Sequence, residues 1–265
     1  MEMTRYAAIF QRHSVRKYAA QALPAEELAA IRALVETEDR LQPALPLQVH
    51  LVEEGERIQR ILSGVIGSYG KIRAPHYLVV TAAAQGEYLE NIGYTLEGVV
   101  LTLTVRGIAT CWIGGHIDPA LLYNIVDIPA GHQPVLLIAA GHAAPDTPLY
   151  RADPASAKRK PLSELVLAGS PDDAWRRILE AVRIAPSAAN SQPWRFLFAG
   201  DAVHIYQAHV NVLLRKMLST INHVDMGIAL RHIHEAAGAL QLPLHFSRLP
   251  APERSDAAYL TSVRS

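Results

Sequence analysis

The side chains best suited to chemistry fall into four short clusters. Arg12-His13-Ser14-Val15-Arg16 puts two guanidiniums and a hydroxyl within five residues. Guanidinium forks match phosphate oxygens or the polar edge of a planar heterocycle. The second cluster runs from Pro186 through Ser187, Asn190 and Gln192 to Pro193 and Trp194. Small residues between prolines let the backbone approach a flat ligand, and the three polar side chains offer donors and acceptors to a ring that carries both. The third, Cys111-Trp112-Ile113-Gly114-Gly115, ends in a glycine pair whose backbone N–H groups can face a ring laid flat against them. The fourth, Lys158-Arg159-Lys160, is a basic run able to complete a dianion pocket. Taken singly, the first, third and fourth are read equally well as solvated turns. The second is not accounted for as a plain loop.

Other chemistries fit poorly. Of twelve histidines, His232 and His234 lie close together but two apart on a helical pattern, so they face different sides and make a poor metal pair. Ser191 has no nucleophile-elbow setting. No Gly-x-Gly-x-x-Gly follows a strand pattern, against a Rossmann dinucleotide domain.

The elements that must position these clusters occur twice. Pro24 and the helical pattern behind it match Pro171 and its followers at an offset of 147, which also carries Arg12 onto Arg159, Leu28 onto Trp175 and Pro46 onto Pro193. Strand-like residues 47–51 fall on residues 194–198. Further on, a long helical pattern over residues 93–109 recurs over 227–243 at an offset of 134. The second copy is thus 13 residues shorter, and the shortfall is assigned to residues 57–85, which hold a helical segment and the apolar strand 76–81. Each copy closes on a strand, 135–139 and 258–261, and residues 144–160 read as the join. The helix over 93–109 is apolar on most faces and so buried. Small residues of its partner, Ala229, Ala236, Ala237 and Gly238, allow close approach, so the two long helices are expected at the heart of an intrachain pseudo-dimer of residues 1–147 and 148–265.

With 265 residues, 50% hydrophobic and 19% charged, the chain can bury a sizeable core. Lys+Arg and Asp+Glu are both 25, so nothing in the balance points to nucleic acid or a membrane surface. The single cysteine fits a reducing compartment, and the N-terminal residues lack a signal-peptide pattern, so a cytoplasmic location is expected. Residues 98–115, the longest apolar stretch, are broken by Arg106 and Gly107 and fall short of a membrane span.

Together these features resemble the FMN-dependent nitroreductase superfamily over nearly the whole chain, and its single-chain tandem subgroup in particular. The motifs that carry the resemblance are the Arg-His-Ser turn at 12–14 with Arg16, the loop at 186–194 and the segment at 107–114. The resemblance implies an α+β fold, duplicated in one chain, with mixed or antiparallel sheets flanked by helices around the buried pair. It also implies FMN at the interface of the copies. Arg12, Ser14, Lys158, Arg159 and Lys160 would hold the phosphate and Arg16 the pyrimidine edge, with His13 in the same turn. Ile113, Gly114 and Gly115 would face the ring from one copy, and Pro186, Ser187, Asn190 and Gln192 from the other. The first copy has residues 39–45 in place of the proline loop, and the second has Pro161, Ser163 and Arg248 in place of Ser14, Arg16 and Gly114. One FMN per chain follows. The implied activity is NAD(P)H oxidation with transfer to a nitroaromatic, quinone or similar small acceptor, chosen by loops near Tyr69-Gly70-Lys71. The alternative is a flavin- or ligand-binding protein with impaired or no redox activity. Because the family's dimer interface is internal, a monomer suffices.

Overall fold

The computed structural model describes residues 3–62, 71–114, 119–209 and 218–264. Gly115, Tyr69 and Gly70 lie outside them.

Helix α1 (Arg5–Gln11) starts where Thr4 Oγ1 accepts the Ala7 N–H at 3.1 Å. Helix α2 (Ala25–Thr37) follows Pro24 and buries Leu28, Ile31, Leu34 and Val35, an apolar stripe at helical spacing. Then come β1 (Leu47–Val52), α3 (Gly55–Leu62), β2 (His76–Ala83), the long α4 (Tyr88–Val105), β3 (Ala109–Ile113), α5 (Pro119–Leu122) and β4 (His132–Gly141). The four strands form an antiparallel sheet in the order β1-β2-β4-β3. The chain continues through α6 (Leu162–Leu165), β5 (Val166–Ala168), α7 (Asp173–Arg183), β6 (Trp194–Ala199), β7 (Ala202–Ala208), α8 (Ile221–Ala239), β8 (His245–Ser247) and β9 (Ala257–Arg264). The second sheet has the order β5-β6-β7-β9-β8. Without β5, which joins β6 in parallel at the edge, its order and antiparallel pairing repeat those of the first sheet. The fold is α+β, two sheets flanked by helices.

Two expectations are corrected. The strand assigned to the 13-residue shortfall is present in both sheets, as β2 and β7. The second copy lacks the connection instead: β1 reaches β2 through α3, whereas β6 turns straight into β7 over Gly200 and Asp201, with Gly200 at φ +59. A two-residue hairpin needs that left-handed residue. The long helices also begin earlier than expected, at Tyr88 and Ile221, because Gly93 and Gly227 are contact points within them and not starts. A Cβ on Gly93 would lie 2.0 Å from Val224 O, and one on Gly227 would lie 2.0 Å from Glu90 O. Positions 90 and 93 thus meet 224 and 227 reciprocally, as across a two-fold axis. Gly238, expected to help the approach, would meet nothing within 4 Å.

The main core runs across both sheets and the helix pair. A buried ionic clip crosses it. Arg231, 1% exposed, holds Glu38 at 2.6 Å and Glu235 at 2.7 Å, and Arg5 holds both oxygens of Glu38. Breaking such a pair by removing one partner costs about 3–5 kcal/mol. Among the described residues, no helix is long and apolar enough to cross a membrane.

Candidate functional site

A cavity of about 450 Å³ opens between the two sheets' helices, within the range that holds small-molecule ligands. Four segments, together with Leu136 of β4 and Arg151 and Arg159 of the join, build it. The turn after α1 supplies Arg12, His13, Ser14 and Arg16. It is held in place where Arg12 N–H caps α1 on Ala8 O and Val15 N–H donates to Thr110 O on β3. The end of β3 supplies Trp112 and Gly114. The loop between α7 and β6 supplies Pro186 to Asn190, and the first turns of α8 supply Ile221, Val224, Asp225 and Ile228.

One end of the cavity is cationic. Arg12, Arg151 and Arg159 converge there, each with a buried guanidinium nitrogen that has no hydrogen-bond partner among the described residues, Nε on Arg12 and Arg159 and Nη1 on Arg151. The partners they do have are neutral: Ser14 Oγ at 3.5 Å for Arg12, and Asn190 Oδ1, Ile184 O and Lys158 O for Arg159. Burial, then repulsion from Arg151 and Arg12, pushes Arg159 down to about 10. Burial and Arg12 likewise lower Arg151. Desolvated cations with unused donors form a seat for an anion with several acceptor oxygens. His13 lies at the rim, donating Nε2–H to Pro148 O at 2.7 Å, with its pKa lowered by burial and by the nearby arginines. The lining also includes the apolar side chains of Trp112, Leu136, Ile221, Val224 and Ile228, which suit a flat ring face.

The loop is held in a strained shape. Ala189 at φ 50, Asn190 at φ 56 and Gln192 at φ 48 all occupy the left-handed region. Such residues cost on the order of 1–3 kcal/mol each and persist where surroundings over-determine them. Here Asn190 Nδ2 donates to Lys158 O, and its Oδ1 accepts from Arg159. Gln192 N–H donates to Ser187 Oγ, its Nε2 to Asn190 O, and its Oε1 accepts Lys160 N–H. Ala188 N–H donates to both oxygens of Asp225 at 3.1 Å.

A family model described as "Putative TM nitroreductase" matches residues 4–237. The chain belongs to that family. Membership places it among nitroreductase-type oxidoreductases. The solved structure of a putative nitroreductase from Thermotoga maritima is 21% identical, with a TM-score of 0.64, over 100% of this chain and 94% of that one. A nitroreductase family protein from Clostridium difficile is 17% identical, with a TM-score of 0.50, over 62% of this chain and 96% of its own. At these identities the likeness is one of fold.

Within this nitroreductase fold, Arg12, His13, Ser14, Arg16, Gly114, Arg159, Pro186, Ser187 and Asn190 come together in one cavity. Four expected residues do not line it. Ile113 is buried in the separate cluster behind β3. Lys158, Lys160 and Gln192 lie behind the loop, where Lys158 O, Lys160 N–H and the Gln192 amide brace its backbone, and Lys160 Nζ donates to Ser191 O. The residues not foreseen are Arg151, Asp225 and the apolar wall from α8 and Leu136. Arg151 reaches the site because the join folds back onto α1, with Arg151 N–H on Gln11 O and a bridge from Tyr150 to Arg12. The two histidines are accounted for by packing. His234 Nδ1 meets Tyr94 OH, and His232 lies between Ala181 O and Glu97, whose other oxygen accepts the Trp112 indole N–H.

Proposed function

We propose that this nitroreductase-family chain is an FMN-dependent oxidoreductase in which two copies of one half-site fold are fused and one flavin site remains per chain. The observation that carries it is the cavity's mixed lining: three guanidiniums, each with one buried nitrogen lacking a partner among the described residues, together with apolar side chains and the proline loop. These residues fit FMN. Arg12, Arg151, Arg159 and Ser14 would hold the phosphate, and Arg16 would stabilise negative charge on the ring. Trp112, Gly114 and the 186–190 loop would flank the ring. The flavin would supply the redox chemistry, and the protein its orientation and field. Electrons would come from NAD(P)H and pass to a nitroaromatic, quinone or similar small acceptor. Three features support the fusion: the offsets of 147 and 134, the repeated strand order, and the reciprocal contact at Gly93 and Gly227.

The test is the visible spectrum of purified protein, titrated with FMN and then NADPH and NADH. A flavin band saturating near one equivalent per chain and bleaching with reductant is expected, followed by recovery on adding a quinone. Binding without bleaching would leave a flavin carrier. No binding would overturn the reading.

A further inference from the structure

We propose that Asp225 is a specificity-determining residue of this cavity, whose carboxylate accepts an N–H from the bound planar ring. The proposal rests on the FMN reading above.

Asp225 sits on α8 among Ile221, Val224 and Ile228, lines the cavity and is 3% exposed. A carboxylate offers about four acceptor positions. Ala188 N–H forks across both oxygens, and Ser191 Oγ approaches Oδ2 at 3.4 Å while lying closer to Asn222 Oδ1, at 3.1 Å. Of the four positions, one on Oδ1 is left without a donor, and no cation pairs with the group, among the described residues. A buried acceptor in that condition is unfavourable unless something else supplies a donor.

Pinning the loop does not require a charge. At the offset of 134 the residue equivalent to Asp225 is Asn91, and its Oδ1 accepts Gln42 N–H at 2.9 Å in the matching loop. An amide does that work there. The carboxyl is found only where the cavity is open, beside the residues that would flank the ring. An oxidised isoalloxazine carries a single N–H, the imide at N3, so that group is the natural donor.

Burial pushes the Asp225 carboxyl up to about 7, against the pull of Ala188 N–H and Ser191 O–H. The cavity's other charged or titratable groups are Arg12, His13, Arg16, Arg151 and Arg159. On its own helix His223 turns to Glu90, and on α7 Arg183 pairs with Glu180.

The experiment compares the affinity of FMN and of N3-methyl FMN for the wild-type chain, Asp225→Asn and Asp225→Ala, from pH 5.5 to 8.5. In wild type at high pH, methylation should weaken binding about ten- to a hundred-fold, the range for a hydrogen bond to a charged group. The penalty should shrink in Asp225→Asn, which keeps the loop pinned as Asn91 does, and further in Asp225→Ala. The wild-type to Asp225→Asn affinity ratio for FMN should rise as pH passes through about 7. Effects of the phosphate, His13 and the arginines cancel in that ratio. Equal methylation penalties in all three proteins, or a ratio that falls with pH, would overturn the assignment while leaving FMN binding intact. Failure of the wild type to bind FMN at all would instead remove the reading on which the assignment rests.

Discussion

The larger cavity has a smaller counterpart of about 290 Å³, lined by Leu41, Gln42, Glu87, Glu90, Phe246 and Arg248 among others. At the offset of 134, Phe246 stands for Trp112, Arg248 for Gly114, Glu87 for Ile221 and Glu90 for Val224, while Leu41 and Gln42 fall within the stretch matching the proline loop at 147. The architecture is shared and the chemistry is inverted. In the counterpart, charges face one another: Arg248 pairs with Glu87, Gln42 Nε2 donates to Glu87 at 2.7 Å, and His223 meets Glu90 at 2.6 Å, which raises the His223 pKa. In the larger cavity no carboxylate pairs with Arg12, Arg151 or Arg159 among the described residues, and Asp225 lies among apolar side chains. One pocket satisfies its polar groups internally, and the other leaves buried guanidinium nitrogens without partners among the described residues.

The largest expected effect separates Asp225 from Asn91 by stability. The folded-state pKa of Asp225 is raised, from 3.8 to about 7, so the folded protein binds this proton more tightly than the unfolded chain. Its contribution to stability is full below about pH 4 and is lost as pH rises through about 7. Asp225→Asn removes the loss. Urea unfolding without flavin should find the variant level with wild type near pH 4, and up to about 4 kcal/mol more stable at pH 8. Asn91→Asp should carry the same liability to the matching position on α4. A variant no more stable at pH 8 than at pH 4, relative to wild type, would mean that the carboxylate finds compensation in the folded state.

Exchanging residues between the pockets comes next. Gly114→Arg sets the smaller pocket's residue in the larger one, next to Ile221 in place of Glu87, and should weaken FMN binding about a hundred-fold or more, an unpaired cation being forced against an apolar side chain. The reverse change, Arg248→Gly with Glu87→Ile, should leave the titration endpoint at one FMN per chain, because Pro161 and Ser163 stand where Ser14 and Arg16 would be needed. An endpoint moving toward two would show that the pair alone closes the second site. Smaller again is Arg12→Ala, expected to weaken FMN binding about ten- to a hundred-fold. Arg248→Ala, removing an exposed cation from the other pocket, should leave it unchanged.

The contrast also marks how far the sequence could be read. Clusters whose residue types declare their chemistry, the Arg-His-Ser turn and the proline loop, were legible as parts of one cavity, and the offsets of 147 and 134 relate β1 to β6 and α4 to α8. Arg151 was not, since it lies in a stretch whose proline and alanine content reads as a join, and only the fold-back onto α1 brings it to Arg12. Asp225 is one acid on a helix that otherwise reads by its apolar and small residues, and no local pattern tells that its turn faces a cavity. Lys158, Lys160 and Gln192 have the right chemistry, but whether polar groups face a ligand or one another depends on three-dimensional packing. The strand β7 was missed because a length difference does not say which element shrank. A hairpin can replace a helical connection and keep both strands.

The smallest expected effect concerns the loop's backbone. Ala189 is held at φ 50, which costs a side chain with a Cβ about 1–2 kcal/mol. Glycine relieves that cost but gives the unfolded chain more freedom, a loss of about 0.4–1 kcal/mol. Ala189→Gly should therefore stabilise the protein by about 0.5 kcal/mol, a rise in Tm of about 1–2 °C. At the matching position of the other loop, Gln42 has no left-handed backbone to relieve and holds Glu87 through its amide. Gln42→Gly should destabilise by about 1 kcal/mol from lost backbone order and a lost hydrogen bond. Opposite signs at matched positions would locate the strain in the loop of the open cavity. A destabilised Ala189→Gly would place it instead in Asn190 and Gln192, whose side chains tie the loop to the join.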